Sequence, residues 1–441
     1  ILLYLALFLA TCARIGICRD EIATSSILIQ DLLTLRDDPN LTYHGVGALS
    51  GGGATARLLI DYPEPQRSEI LDVLFKPQFA ASLQILKVEI GGDSHSGDGT
   101  ESSHMHSRDD LDCTRGYEWW LLKEAKRRNP DIVTYGLPWA FPGWIDDNSG
   151  QNPFAKSNLT AEYTVQWLKC ARDVHDIDID LIGLWNECGS PEMGENEYAK
   201  LLRKVLDGEG FKDTKIVAKD LYNDISVCDE LMEDQDFNDA VYAIGLHYPS
   251  DYPDGVYDKC HALNKPFWSS EESSSYADAN GAACWIRVIT SHFVLSGMTS
   301  NIMWNLVGSY MHGTSWYNSA LFRADQPWTG NYDRGDTAPV VWATAHITQF
   351  TQPGWSYLPV GSGSGELPAG GFYTSLVSPD KQDLTSIAVK ISRDHAECTR
   401  PGLPDFDVKS ERIVLHLPHM IKEKDLHIWQ SSFEGAGGYF K

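Results

Sequence analysis

Positive charge is what this chain most lacks. Its 441 residues carry 36 Lys and Arg against 61 Asp and Glu, for a formal net charge of −25. A phosphate backbone is bound through a basic footprint, so nucleic acid is excluded as a partner. An acidic compartment, which protonates part of the carboxylates, softens the self-repulsion. Long apolar runs are lacking as well. Only Ile1–Ala10 is continuously hydrophobic, about half of the roughly 20 residues a spanning helix needs, so no transmembrane segment is expected. There is no low-complexity tract and no internal repeat. The glycine run Gly51–Gly53 lacks the Gly-Lys-Ser/Thr ending and the GxGxxG spacing of phosphate loops. No Ser-x-Gly elbow or Cys–His arrangement stands out. His104-Met-His106 has no third ligand at metal spacing, so neither a metal nor another cofactor is expected.

What is present begins with the ends and the cysteines. Ile1–Ala10, followed by small residues and Cys before Arg19-Asp20, matches the apolar core of a secretory signal. We expect residues 1–18 to be a partial signal peptide lacking its Met. The sequons Asn40-Leu-Thr42 and Asn158-Leu-Thr160 are expected glycosylation sites on a secreted chain. Of nine cysteines, two fall in the leader, and the seven that remain leave at least one unpaired within the chain. Aromatic content is high, with 14 Trp and 19 Tyr, which suits a surface that stacks on sugar faces as well as a core.

Strand and helix signals alternate from residue 44 onward. Short apolar runs begin at Gly45, Leu83, Asp131, Asp180, Lys215, Val241, Pro266 and Thr299, with amphipathic helical spacing between them, as in Arg67–Lys76, Gly116–Asn129 and Ala161–His175. Eight such repeats predict a closed (β/α)8 TIM barrel over 44–352, which fills the roughly 250–300 residues such a barrel uses. A last helical stretch, Val341–Phe350, stops at Gln352-Pro-Gly-Trp355. Beyond it, Phe372–Val377, Leu384–Ile391, Glu411–Leu417 and Leu426–Trp429 alternate between Gly/Ser turns and predict an antiparallel β-sandwich domain over 353–430. That tail offers too few strands, so residues 19–43, with a strand candidate at Ser26–Leu33, are expected to contribute one. Residues 431–441 read as a linker.

Two strands end in acids. Asp180-Leu-Ile-Gly-Leu-Trp-Asn-Glu187 closes the fourth repeat and Pro266-Phe-Trp-Ser-Ser-Glu-Glu272 the seventh. Glycoside hydrolysis needs two carboxyls from different strands at one barrel mouth. Glu187 is the candidate acid/base. It has to hold a proton, which nearby rings and a second carboxylate favour, with Trp185 and Glu271 the candidates. Asn186 is placed to bond a sugar 2-hydroxyl. Glu271 and Glu272 compete for the nucleophile, since strand alternation sends them to opposite sides, and the residues alone leave that choice open. Trp139 and Trp144 flank a Pro-Gly turn where a ring can stack on a sugar, with core packing the rival role for Trp144. His247-Tyr248 and Trp304-Asn305 end the sixth and eighth strands; His247-Tyr248 is a candidate partner of the nucleophile.

The blocks Gly51-Gly-Gly-Ala-Thr55, Tyr62-Pro-Glu-Pro65, Ile85–Asp93, Arg115–Trp120, Lys123-Glu-Ala-Lys126, Leu137-Pro-Trp139, Trp185-Asn-Glu187, Trp268-Ser-Ser-Glu271 and Thr348–Trp355 resemble glycoside hydrolase family 59. The likeness runs from about Val46 to about Pro401. It implies a clan-A barrel and a retaining exo-β-galactosidase of galactosylceramide and galactosylsphingosine, lysosomal or secreted, fed by a saposin-like lipid-presenting protein. Carried over by motif, Glu187 is the acid/base and Glu271 the nucleophile. Asn186, Trp139 and Arg400 contact the sugar, and Cys284 pairs with Cys398. The family pattern continues Arg-Pro where Cys188-Gly189 stands here, which implies a different local loop. A family threonine falls at Gly97, and the family's C-terminal lectin-like domain lies beyond Lys441. The rival readings are another clan-A β-glycosidase, glucosylceramidase-like or galactanase-like, and a non-catalytic sugar-binding homologue.

Overall fold

The computed structural model describes residues 3–9, 23–29, 32, 35, 38–53, 56–97, 99–145, 152–249, 255–272, 276–308, 319–324, 329–392, 407–417, 425–433 and 438–440. Eight parallel strands close into a barrel, as expected: Gly45–Ser50, Ile85–Ile90, Val133–Pro138, Leu181–Gly183, Lys215–Tyr222, Ala243–His247, Phe267–Glu272 and Ser300–Trp304. Each is followed by at least one helix before the next begins, and the last by Pro339–Thr348.

The alternation of a strand decides which side chains enter the barrel. Leu49, Ile85, Tyr135, Leu137, Leu181, Val217, Ala243, Trp268 and Ile302 pack on one another as an inner core. Their neighbours, such as Leu86, Val88, Ile182, Ile216 and Ile244, belong to the larger cluster between strands and helices. With both faces buried, barrel strands read as nearly continuous apolar runs, which is why they were legible. Lys87 follows Ile85 on the inward face, and this buried cation is the first sign that the barrel's upper layers are not apolar.

The sandwich packs on the barrel through the helix Ala279–Ser296. Phe293 stacks on Tyr357 with centroids 3.7 Å apart, and the Arg287 guanidinium lies 5.4 Å from the centre of the Phe372 ring. Phe372–Val377 and Leu384–Lys390 are antiparallel neighbours, as expected. Two strands correct the antiparallel picture. Ala23–Leu28 does join this region, but it pairs parallel with Glu411–His416. A parallel pair needs a long crossover, and here the entire barrel supplies it. Leu3–Leu9, expected to be the core of a leader, forms a strand parallel to both Leu384–Lys390 and Leu426–Ser431. An apolar run of this length serves a central strand as readily as a leader, so its composition does not separate the two.

Two disulfides fasten the barrel's helical layer. Cys113–Cys170 spans 57 residues and Cys228–Cys260 spans 32, loops whose closure contributes about 3–4 kcal/mol each in the chain-entropy view. Cys284 is also disulfide-bonded, while its expected partner Cys398 lies outside the described residues. Cys188 is the free thiol among the described cysteines.

Candidate active site

The two acids reach the same rim by different routes. The fourth strand is only three residues long, and Glu187 sits in the turn beyond it, at a φ of 53° that non-glycine residues seldom adopt. The turn is bonded to both flanking strands: Asn186 N–H donates to Pro138 O at 2.9 Å and Glu187 N–H to Asp220 O at 3.0 Å. Glu271 lies within the seventh strand, where a register shift pairs it with His247. The irregularity turns Glu271 into the mouth. Glu272 goes the other way, accepting from Ser269 Oγ at 2.6 Å with His292 Nε2 at 3.6 Å, behind the strand.

His247 stands between the acids. Its Nδ1 is 3.1 Å from Glu187 Oε1 and 3.5 Å from Glu271 Oε2, while Nε2 is 3.2 Å from Asp220 Oδ1. Asp220 also accepts from Lys87 Nζ at 3.0 Å, from Ser270 Oγ at 2.8 Å and from the Tyr135 hydroxyl. Lys87 Nζ donates to Ser270 O at 3.0 Å and lies 5.7 Å from the centre of the Trp139 ring. Tyr248 Oη donates to Glu271 Oε1 at 2.5 Å, and Glu271 Oε2 is buried with no hydrogen-bond partner.

Burial and charge oppose one another here. Burial acts to raise Asp220, but Lys87, His247 and Tyr135 overcome it and hold the carboxyl well below its usual range. Burial acts to lower His247, but Glu271, Asp220 and Glu187 outweigh it and the repulsion from Lys87, so the imidazole is raised. Burial raises Glu271, only partly offset by His247, Lys87 and Tyr248. Glu187, His247 and Glu271 each bring one donor atom within 4.8 Å of the others, a spacing a metal ion accepts. Both ring nitrogens of His247 are already engaged by carboxylates.

Asn186 is buried, and its Oδ1 has no hydrogen-bond partner. The Trp139 ring lies so close to Gly51 that a Cβ there would sit 2.6 Å from it. This close approach explains part of the glycine cluster after the first strand. Its carbonyl takes the Trp185 indole N–H at 3.1 Å. Trp144 instead bonds Met105 O at 3.0 Å and packs against Tyr163. A side chain at Gly97 would run into Gly52 O at 2.6 Å. His104 bonds Tyr163 O and His106 bonds Asp93, so the pair serves separate structural contacts. Asn158 is exposed, whereas Asn40 is half-buried with Nδ2 3.4 Å from Asn264 Oδ1. Arg400 lies outside the described residues. Sequence reasoning missed Lys87, Asp220 and Tyr135. The available signal was a lysine in an otherwise apolar strand and an aspartate near the end of the fifth.

A closed parallel barrel that gathers strand-end carboxylates on one rim, around a shared cation, is the build of a barrel glycoside hydrolase. The chain belongs to glycosyl hydrolase family 59: the family's model matches residues 43–349, and that of its central domain matches residues 357–438. A galactocerebrosidase from Danio rerio is 45% identical over 403 residues, covering 90% of this chain and 58% of that protein. One from Mus musculus is 46% identical over 391 residues, covering 88% and 54%. The chain thus spans a little over half the length of these curated relatives. A conserved exported protein from Bacteroides fragilis shares the fold, with a TM-score of 0.64 at 16% identity over 89% of this chain and 92% of that one.

Proposed function

We propose that the chain forms the catalytic part of a retaining exo-β-galactosidase that hydrolyses galactosylceramide and galactosylsphingosine. The observation that carries the reading is the spacing of the acids. Oxygens of Glu187 and Glu271 approach within 4.8 Å, which suits direct attack on the sugar by one of them and is tighter than the roughly 6.5–9.5 Å that inverting enzymes leave for a water. Glu187, at the more exposed position, protonates the departing oxygen. Glu271 attacks through Oε2, the buried oxygen no hydrogen bond occupies. Asn186 Oδ1 meets the 2-hydroxyl, Trp139 supplies a stacking face, and Arg400 reaches the sugar from the sandwich. The chemistry uses no cofactor. Secretion or lysosomal delivery through an N-terminal leader, glycans on Asn40 and Asn158, a Cys284–Cys398 bridge and a saposin-like lipid-presenting partner complete the proposal.

The test is covalent trapping of the protein at its natural length, at acidic pH, with an activated 2-fluoro-β-galactoside. A galactosyl adduct on the peptide carrying Glu271 is expected. A folded protein without adduct, or an adduct on Glu272, would overturn the assignment, and a preference for the matching glucoside would move the substrate class.

A further inference from the structure

The double displacement asks two opposite things of Glu187. It must give a proton when the glycosidic bond breaks and, as carboxylate, take one from water when the intermediate is released. The structure provides a group that can follow this change. His247 is fully buried, with Asp220 at Nε2 and a single N–H, at Nδ1, facing both acids at 3.1 and 3.5 Å. The Glu271 oxygen at 3.5 Å is Oε2, the one that no hydrogen bond holds. When Oε2 bonds the anomeric carbon it becomes an ester oxygen and loses its charge. The Nδ1–H then has Glu187 as its one anionic partner.

Resting on the reading above, we propose that His247 is a positioning residue for the second half-reaction, handing its charge from Glu271 to Glu187 once the galactosyl ester has formed. In the first step the Glu187 proton goes to the leaving oxygen, the bond from C1 to that oxygen breaks, and C1 bonds to Glu271 Oε2. In the second, water gives a proton to Glu187 and its oxygen bonds C1, while the ester bond breaks and Oε2 regains its charge. Between the two, the imidazolium stabilises Glu187 as the carboxylate the base step needs. The rest of the network serves this. Asp220 fixes the ring and balances its charge, while Lys87 and Tyr135 fix Asp220. The ring is enclosed by Asp220, Lys87, Glu187, Glu271 and the edge-on Tyr248 ring at 6.1 Å, so it has no other anion to turn to among the described residues.

The experiment follows His247→Gln in the natural-length protein with 2,4-dinitrophenyl β-galactoside, whose leaving group needs no acid. A slowed second step predicts four things together. There is a burst of about one dinitrophenolate per enzyme, kcat falls about 10–100-fold, part of the roughly 10²–10⁴ that general acid–base catalysis contributes, KM falls with it, and azide restores turnover by forming galactosyl azide without a base. A fall in kcat/KM at unchanged KM, with no burst and no azide response, overturns the proposal in favour of a purely structural ring. Asp220→Asn keeps the ring in place and is expected to give a smaller burst of the same kind, which decides the matter if His247→Gln does not fold. Failure of the wild-type protein to trap a 2-fluoro-galactosyl group on Glu271 would instead remove the underlying functional reading.

Discussion

The barrel holds two sets of buried carboxyls, and they are treated in opposite ways. Around the fourth to seventh strands, Asp220 and Glu271 share their space with Lys87 and His247. Below the glycine turn of the first strand, Glu89, Glu101 and Glu118 are just as buried. Glu89 accepts from Gly53 N–H at 2.9 Å and Ser96 Oγ at 2.8 Å, Glu101 from Tyr117 N–H at 2.5 Å, and Glu118 from Ser50 Oγ at 2.7 Å. Burial, with the repulsion of Glu89, pushes Glu101 up to about 7, and burial with the repulsion of Glu101 raises Glu118 as well. Burial alone therefore does not decide where an acid titrates: at Asp220 the cations within reach overcome it, and at Glu101 and Glu118 it prevails. Asp220 is held below its ordinary range, while Glu101 and Glu118 keep their protons to higher pH.

The largest effect should come from the first set. Glu271→Gln is expected to lower kcat on the order of 10⁴-fold or more, while Glu272→Gln lowers the melting temperature and leaves kcat/KM nearly unchanged. Steady-state rates and thermal melts on both variants check this. Next, Lys87→Met strands Asp220, and urea unfolding is expected to show a loss of about 3–5 kcal/mol. Glu101 and Glu118 should respond to pH in the reverse sense of Asp220. Acids whose folded pKa is raised stabilise below their unfolded value, near 4.5, and lose that contribution as pH climbs through about 7. Melting temperature is thus expected to fall between pH 5 and 7.5, and Glu101→Gln should flatten the slope. Asp220, held low, gives the opposite dependence, with stability lost only as pH falls well below its ordinary value of 3.8. The smallest effect belongs to Cys188→Ser, within about 0.5 kcal/mol by denaturant titration, because the thiol is exposed and unbridged.

All eight barrel strands were legible because burial on both faces writes them as apolar runs between helical patterns. Helix ends shifted by a few residues, as with Ser157–His175, whose first turn of Ser, Asn, Leu and Thr does not look amphipathic. Glu271 and Glu272 could not be separated from the residues alone, because a register shift sets the orientation and alternation cannot foretell it. Lys87 and Asp220 lie 133 residues apart, and no local pattern announces a pairing made across a barrel interior. The parallel entry of Ala23–Leu28 escaped for the same reason, since strand propensity carries no direction. The disulfides Cys113–Cys170 and Cys228–Cys260 have spacings that sequence cannot tell from chance.

The turn that holds Glu187 is tied to the third strand through Asn186 and to the fifth through Glu187 itself. The acid's place is therefore set by its neighbours across the barrel rather than by the chain that follows it. That chain begins with Cys188 and Gly189, and the Glu195 carboxylate lies 2.1 Å from where a Cβ on Gly189 would stand. The loop is free to diverge and to reshape the entrance, while the Glu187 carboxyl stays where the third and fifth strands keep it.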